Sequence, residues 1–227
     1  MIGHKLGKKK AKEKPEEPEE LEELIEPEEL DELEQTSPII LLNSPEEDKK
    51  LRKVNIIGEI EEEKTPDILY TMWHFKENGK YLNEDDEICH EPFEVIVSTY
   101  GGAAMEMFAI YDTMRMIREE CDIQTIGLGK VMSAGVLLLA AGTKGSRKIG
   151  KNCRVMIHSV IGGQHGPVHN LENELEEVKW IQEQYINALI EETDMTKKYI
   201  KKLLERKVNV YLTAKEAVEL GIADEIA

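Results

Sequence analysis

Residues 129–160 read "GKVMSAGVLLLAAGTKGSRKIGKNCRVMIHSV", and the way this stretch is punctuated decides the fold. An extended run, "IQTIGLG", ends at Gly129; a compact apolar run, "SAGVLLLAAG", follows; a second extended run, "NCRVMIHSV", comes next. The outer runs carry β-branched residues and the middle one is rich in Leu and Ala, so the pattern predicts strand, buried helix, strand. A helix between two strands is the repeating unit of a parallel sheet with right-handed crossovers. Ser133 stands at the first strand-to-helix junction, and His158 at the end of the second strand. They are either two polar residues packed in a core or two parts of one catalytic device.

Outward from this unit the alternation continues. Towards the N-terminus, "PIILL", "KVNIIGEI" and "FEVIVSTYGG" are β-branched runs closed by turn residues, and each predicts a strand. Between the last two, "DILYTMWHFKENGKYLNEDDEICHEP" is expected to begin as a helix and end in a long exposed polar loop. After the Gly101-Gly102 pair, "MEMFAIYDTMRMIREE" places Met107, Ile110, Met114 and Ile117 on one helical face. Towards the C-terminus, a long helix is expected over 171–192, opened by Asn170 as a cap. Its Val178, Ile181, Tyr185 and Leu189 form an apolar stripe that wants a partner surface. A strand in "VNVYLTA" and a helix and turn in "AKEAVELGIADEI" complete the series.

The chain has 227 residues, 41% of them hydrophobic, which suffices for one sizeable core. Residues 1–36 are Lys-rich and then Glu- and Pro-rich, a composition that buries too little apolar surface to offset the entropy of ordering. The expectation is a disordered acidic tail over 1–36 and a folded domain over 37–227. A net charge of −17 argues against nucleic acid, whose binding needs clustered Lys and Arg. The basic start lacks the apolar segment of a signal peptide, and the apolar run at 136–141 is far too short to span a bilayer, so no membrane association is expected. Cys89, Cys121 and Cys153 are widely spaced with no CxxC, which suggests neither zinc nor a disulfide framework and fits a reducing, cytoplasmic setting.

A serine becomes a good nucleophile only when a base takes its proton and the fold holds it at a constrained position. A helix starting at Ser133 would aim unpaired backbone N–H groups at an oxyanion beside its hydroxyl. The Gly101-Gly102 loop offers a second set, and His158 a base within reach across a parallel sheet. By spacing alone, packing of a serine among small residues remains the commoner explanation.

The chain from about residue 53 to residue 226 resembles the proteolytic subunit of Clp protease, the ClpP family of serine peptidases. The family's glycine loop and helix resemble "YGGAAMEMFAIYDTMRMI", its nucleophile block "GLGKVMSAGVLLLAAGTKGSR", its histidine block "NCRVMIHSVIGG", and its C-terminal signature "YLTAKEAVELGIADEI". The blocks come in the family's order. The resemblance implies an α/β fold, the ClpP/crotonase-like spiral of ββα units with a long handle helix. It implies Ser133 as nucleophile, His158 as general base, and Gly102 and Ala134 as oxyanion N–H donors. It further implies a serine endopeptidase that cleaves peptides and unfolded proteins inside stacked homo-oligomeric rings, served by an AAA+ unfoldase and needing neither metal nor other cofactor. At the family's acidic triad position this chain has Asn209; a small insertion nearby leaves Asp194 and Glu205 as further candidates for the third role. Two further departures are the absence of recognisable axial loops in the acidic tail and a longer segment between Lys76 and His90.

Other readings fare worse. "GLGKVMS" lacks the first glycine of a phosphate loop, and Val131 stands where that motif follows its lysine with a hydroxyl residue. His165 and His169 have zinc-like spacing but enclose Pro167 and lack the glutamate of a zincin. A non-catalytic ClpP-like structural subunit and a phage prohead-type protease remain alternatives. A membrane-associated peptidase with Lys130 or Lys151 as base is a third.

Overall fold

The computed structural model describes residues 51–163, 165–205 and 208–227. The expected tail at 1–36 and the expected strand "PIILL" lie outside the described residues. Within them the chain builds a mixed α/β fold around one seven-stranded, largely parallel sheet.

Strand β1 (Lys53–Ile60) runs parallel to β4 (Phe93–Gly102), which runs parallel to β5 (Ile123–Met132). Their alternation puts Val54 and Ile56, Phe93, Val95 and Val97, and Ile123 into the core. Helix α1 (Thr65–Asn78) links β1 towards β4, and α2 (Ala104–Arg118) links β4 to β5; the two helices pack side by side. Met107, Ile110, Met114 and Ile117 of α2 are all buried, the face that their spacing predicts. Helix α3 (Ala134–Ala140) is buried along its whole length against β4 and β5, as expected of a helix with no polar face.

The two halves of β5 take different neighbours. Thr125–Gly127 pairs with β6 (Arg147–Ile149), whereas Lys130–Met132 pairs with β7 (Arg154–Ile157). The sheet thereby divides beside Ser133, and β7 brings the start of the 158–163 loop against the end of β5. Strand β8 (Val210–Leu212) adds antiparallel to β7, and β9 (Glu225–Ile226) adds parallel to β6. Between β7 and β8 come α4 (Val168–Glu192) and α5 (Lys197–Leu204), and α6 (Ala214–Glu219) precedes β9 behind a Thr213–Glu216 capping box.

Three expectations need correction. The segment after α1 is exposed but is a hairpin rather than a loop: β2 (Lys80–Leu82) pairs antiparallel with β3 (Ile88–His90). Its turn is closed by the Asn83 carboxamide oxygen, which accepts from the N–H groups of Asp85 and Glu87 at 3.0 and 2.9 Å. Secondly, the long helix starts at Val168, with Pro167 at its cap, and Asn170 lies inside the first turn. Proline presets the φ needed for helix entry and has no N–H to lose there, so it displaces the asparagine as the starting signal. Thirdly, β9 appears where only a turn is expected, and β6 and α5 arise in segments for which no element is predicted. The two strands are too short to show a period, and each is defined by the neighbours it pairs with.

Candidate functional site

Ser133 occupies the link between β5 and α3 with φ 53° and ψ −120°. A non-glycine residue pays about 1–3 kcal/mol for such a conformation, so the surroundings must enforce it. They do so through the backbone. The Ser133 N–H donates to the Met156 carbonyl on β7 at 2.8 Å. Its carbonyl accepts from the Val136 N–H at 3.0 Å and from the Tyr185 hydroxyl on α4 at 3.0 Å. This is the geometry of a sharp strand-to-helix turn that thrusts a side chain out of the sheet.

β4 reaches the same point with Gly101 and Gly102, at φ 109° and 156°. A Cβ on Gly101 would lie 2.7 Å from the Ser133 Cβ, and one on Gly102 would lie 2.0 Å from the Ile60 carbonyl oxygen. Glycine at 101 is therefore what lets β4 pass directly against Ser133. The loop is fixed by Thr99, whose hydroxyl oxygen accepts from the Gly101 N–H at 2.9 Å. Gly101→Ala would have to adopt an unfavourable φ and push Ser133 aside at once. If Ser133 is a nucleophile, this variant should label with a serine-directed fluorophosphonate at least about tenfold more slowly than the parent, because a small misplacement of a reacting atom is costly. Labelling at the parental rate would show that Ser133 tolerates displacement.

His158 follows β7 directly. Its Nδ1 lies 2.6 Å from the Ser159 carbonyl oxygen, which as an acceptor selects the tautomer protonated at Nδ1 and leaves Nε2 with a free lone pair. The β7–β8 ladder ends with Ile157 paired to Val210, so His158 and the exposed Asn209 are the residues next to that last pair in each strand. Asp194 lies at the turn after α4, where its N–H donates to the Leu220 carbonyl, and Glu205 lies just past the end of α5.

Ser133, His158, Gly102 and Ala134 line one cavity of about 290 Å³. Its remaining wall is largely apolar, with Met107 from α2 and Ile181 and Tyr185 from α4. Asn209, Asp194, Glu205, Lys130 and Lys151 are not among its lining residues. The Lys130 ammonium instead sits 4.8 Å over the Tyr100 ring. Cys153 is buried, and burial pushes its thiol up to about 11, which makes it a poor nucleophile near neutral pH. His169 Nδ1 stands 3.6 Å from Glu172 Oε2 on the exposed start of α4, and among the described residues no group of His, Cys, Asp and Glu is arranged to hold a metal. Nor is any described helix long and apolar enough to cross a membrane.

Two features went unread in the sequence. The sequence places Tyr185 on the apolar stripe of α4 but not as a hydrogen-bond donor to the Ser133 turn; a tyrosine among Ile and Leu is the only signal. The second is a buried ionic cluster. Glu192, at the end of α4, accepts two hydrogen bonds from Arg118, each 2.9 Å, and one from the Tyr111 hydroxyl. Beside it Arg147 pairs with Asp224 and donates to the carbonyls of Ala140 and Glu192, closing the C-terminal ends of both α3 and α4.

Over 131 residues the chain is 37% identical to the ATP-dependent Clp protease proteolytic subunit 1 of Thermobifida fusca (strain YX), an alignment covering 57% of this chain and 57% of that protein. The chain thus matches little more than half the length of this relative. The family model described as Clp protease matches residues 47–227, which takes in every described element from β1 to β9. With that match across the whole sheet and its helices, the chain belongs to the Clp protease family.

Proposed function

We propose that this protein is a serine endopeptidase acting on peptides and unfolded proteins, with Ser133 as nucleophile and His158 as general base. The observation that carries the reading is the strained Ser133 turn opening into the same cavity as His158, Gly102 and Ala134. In the proposed reaction Nε2 of His158 takes the Ser133 proton as Oγ attacks the peptide carbonyl. The backbone N–H groups of Gly102 and Ala134 receive the developing oxyanion, and the protonated histidine gives its proton to the leaving amine. Water, deprotonated by the same imidazole, then hydrolyses the acyl-enzyme. The apolar wall from Met107, Ile181 and Tyr185 suits an apolar substrate side chain.

The reading extends to assembly. Val168, Leu171 and Leu175 are exposed on one face of the first turns of α4, a stripe that copies of this chain would cover in stacked rings enclosing the active sites. An AAA+ unfoldase would deliver folded substrates to that chamber. The direct test treats the full chain with a fluorophosphonate at neutral pH, locates the adduct by mass spectrometry, and follows cleavage of labelled casein with native mass measured in parallel. An adduct on Ser133 with casein turnover supports the reading; a folded protein that neither labels nor cleaves sinks it.

Asn209 is proposed as the third member beside His158, sharing the Nδ1 proton with the Ser159 carbonyl. A carboxamide can orient an imidazole but lends no full charge to the imidazolium, and in trypsin-type triads Asp→Asn lowers turnover about 10⁴-fold. Asn209→Asp should therefore raise kcat about tenfold at neutral pH, and Asn209→Ala should lower it, with neither unfolding the protein. If both variants match the parent, Asn209 is not the third member, and Asp194 and Glu205 are the next positions to change.

A further inference from the structure

We propose that Tyr185 is a positioning residue for this reaction: by holding the Ser133 carbonyl, its hydroxyl sets the direction in which the next residue, Ala134, presents its N–H. The inference rests on the peptidase reading above. The peptide unit between Ser133 and Ala134 is planar and trans, so its C=O and N–H point in opposite directions. Whatever anchors the oxygen therefore aims the N–H. Two donors reach that oxygen, each at 3.0 Å: the Val136 N–H and the Tyr185 hydroxyl. Val136 belongs to the same turn and moves with it. Tyr185 comes from α4, 52 residues further along the chain, and among the described residues it is the anchor from outside the turn.

Three further observations fit a positioning role. The turn is strained at φ 53°, so a peptide unit without external support would relax towards a commoner conformation. Tyr185 is 5% exposed, and burial pushes its hydroxyl far above the usual phenol range, so it stays a protonated donor at every working pH. Its ring already forms part of the cavity wall with Ile181, one turn earlier on the same helix. An apolar residue would fill that wall equally well. A buried hydroxyl is tolerated only with a partner, and its partner here is the carbonyl of the proposed nucleophile.

The test uses the full chain as Tyr185→Phe, which keeps the ring, and Tyr185→Met, which keeps an apolar wall without it; Ser133→Ala is the control. Peptide hydrolysis is measured with two ligands of the same sequence. One is a peptide boronate, which adds to serine and carries the tetrahedral oxygen; the other is the carboxamide, which binds without reacting. Removing an oxyanion donor outright lowers kcat about 10²–10³-fold, so a donor left in place but misaimed should lose about tenfold. Tyr185→Phe should lower kcat and boronate affinity by that same factor, while KM and carboxamide affinity move less than about twofold. If Tyr185→Phe does not fold, the same split is read from Tyr185→Met. Unchanged kcat and boronate affinity with only a lower Tm would make Tyr185 a packing residue and overturn the proposal. So would a rise in KM alone, which would make it a wall and nothing more. Undiminished hydrolysis by Ser133→Ala would instead end the peptidase reading itself, and this proposal with it.

Discussion

Replacing Ser133 with alanine should lower peptide hydrolysis by about 10⁴-fold or more and abolish fluorophosphonate labelling, while leaving the fold in place. The large effect follows from the proposed chemistry: without Oγ there is no acyl-enzyme, and His158 has no proton to take. The small effect on folding follows from the geometry. The bonds that hold the turn run through the backbone, from the Ser133 N–H to Met156 and to the Ser133 carbonyl from Val136 and Tyr185, and alanine keeps all of them. The melting temperature should therefore shift by less than about 2 °C. Circular dichroism on heating and casein cleavage separate the two effects. Hydrolysis at the parental rate by a folded Ser133→Ala would mean that the catalytic group lies elsewhere.

The largest effect on stability should come from Arg147, remote from that serine. The residue is 4% exposed; its side chain pairs with Asp224 at 2.6 Å and donates to the Glu192 carbonyl at 2.7 Å and the Ala140 carbonyl at 3.2 Å. Arg147→Ala would leave the ends of α3 and α4 without their donor and Asp224 without its cation. Removing one partner of a buried pair costs about 3–5 kcal/mol, which for a domain of this size lowers Tm by about 10 °C. The acid side carries a signature of the same contact. Burial pushes the Asp224 carboxyl up, but hydrogen bonds from the Arg147 side chain and backbone, the Arg147 charge and the Gly145 N–H outweigh it and hold the group below the usual range. A carboxyl lowered in the folded state adds stability that is fully present above its unfolded value, near pH 4, and fades as pH falls through the lower folded value. The parent should thus lose stability below about pH 4 more steeply than Arg147→Ala, which lacks the contact. Equal Tm values at neutral pH would show that Arg147 contributes nothing net.

Much of the fold was legible because it is written in short-range patterns. The alternation in "KVNIIGEI" and "FEVIVSTYGG" appears as β1 and β4, and the spacing of Met107, Ile110, Met114 and Ile117 as the buried face of α2. Ser133 and His158 were legible as a pair only through ordered motifs, since a serine among small residues has no periodic signature. Arg147 and Glu192 were not legible at all. A charged residue in sequence reads as solvated, and only the packing of two helix ends turns it into a buried donor or acceptor.

What the sequence by itself determined is the order of strands and helices and the residue types at each junction: glycines at 101 and 102, a serine at 133 and a histidine at 158. Backbone permissiveness and hydrophobic period are local properties, so they are readable one segment at a time. Only the tertiary structure decided that β5 splits between β6 and β7 beside Ser133 and that the Tyr185 hydroxyl reaches the Ser133 carbonyl. Each of these depends on which distant segment arrives as a neighbour, and that is set by the burial of the whole core and not by any one stretch of chain.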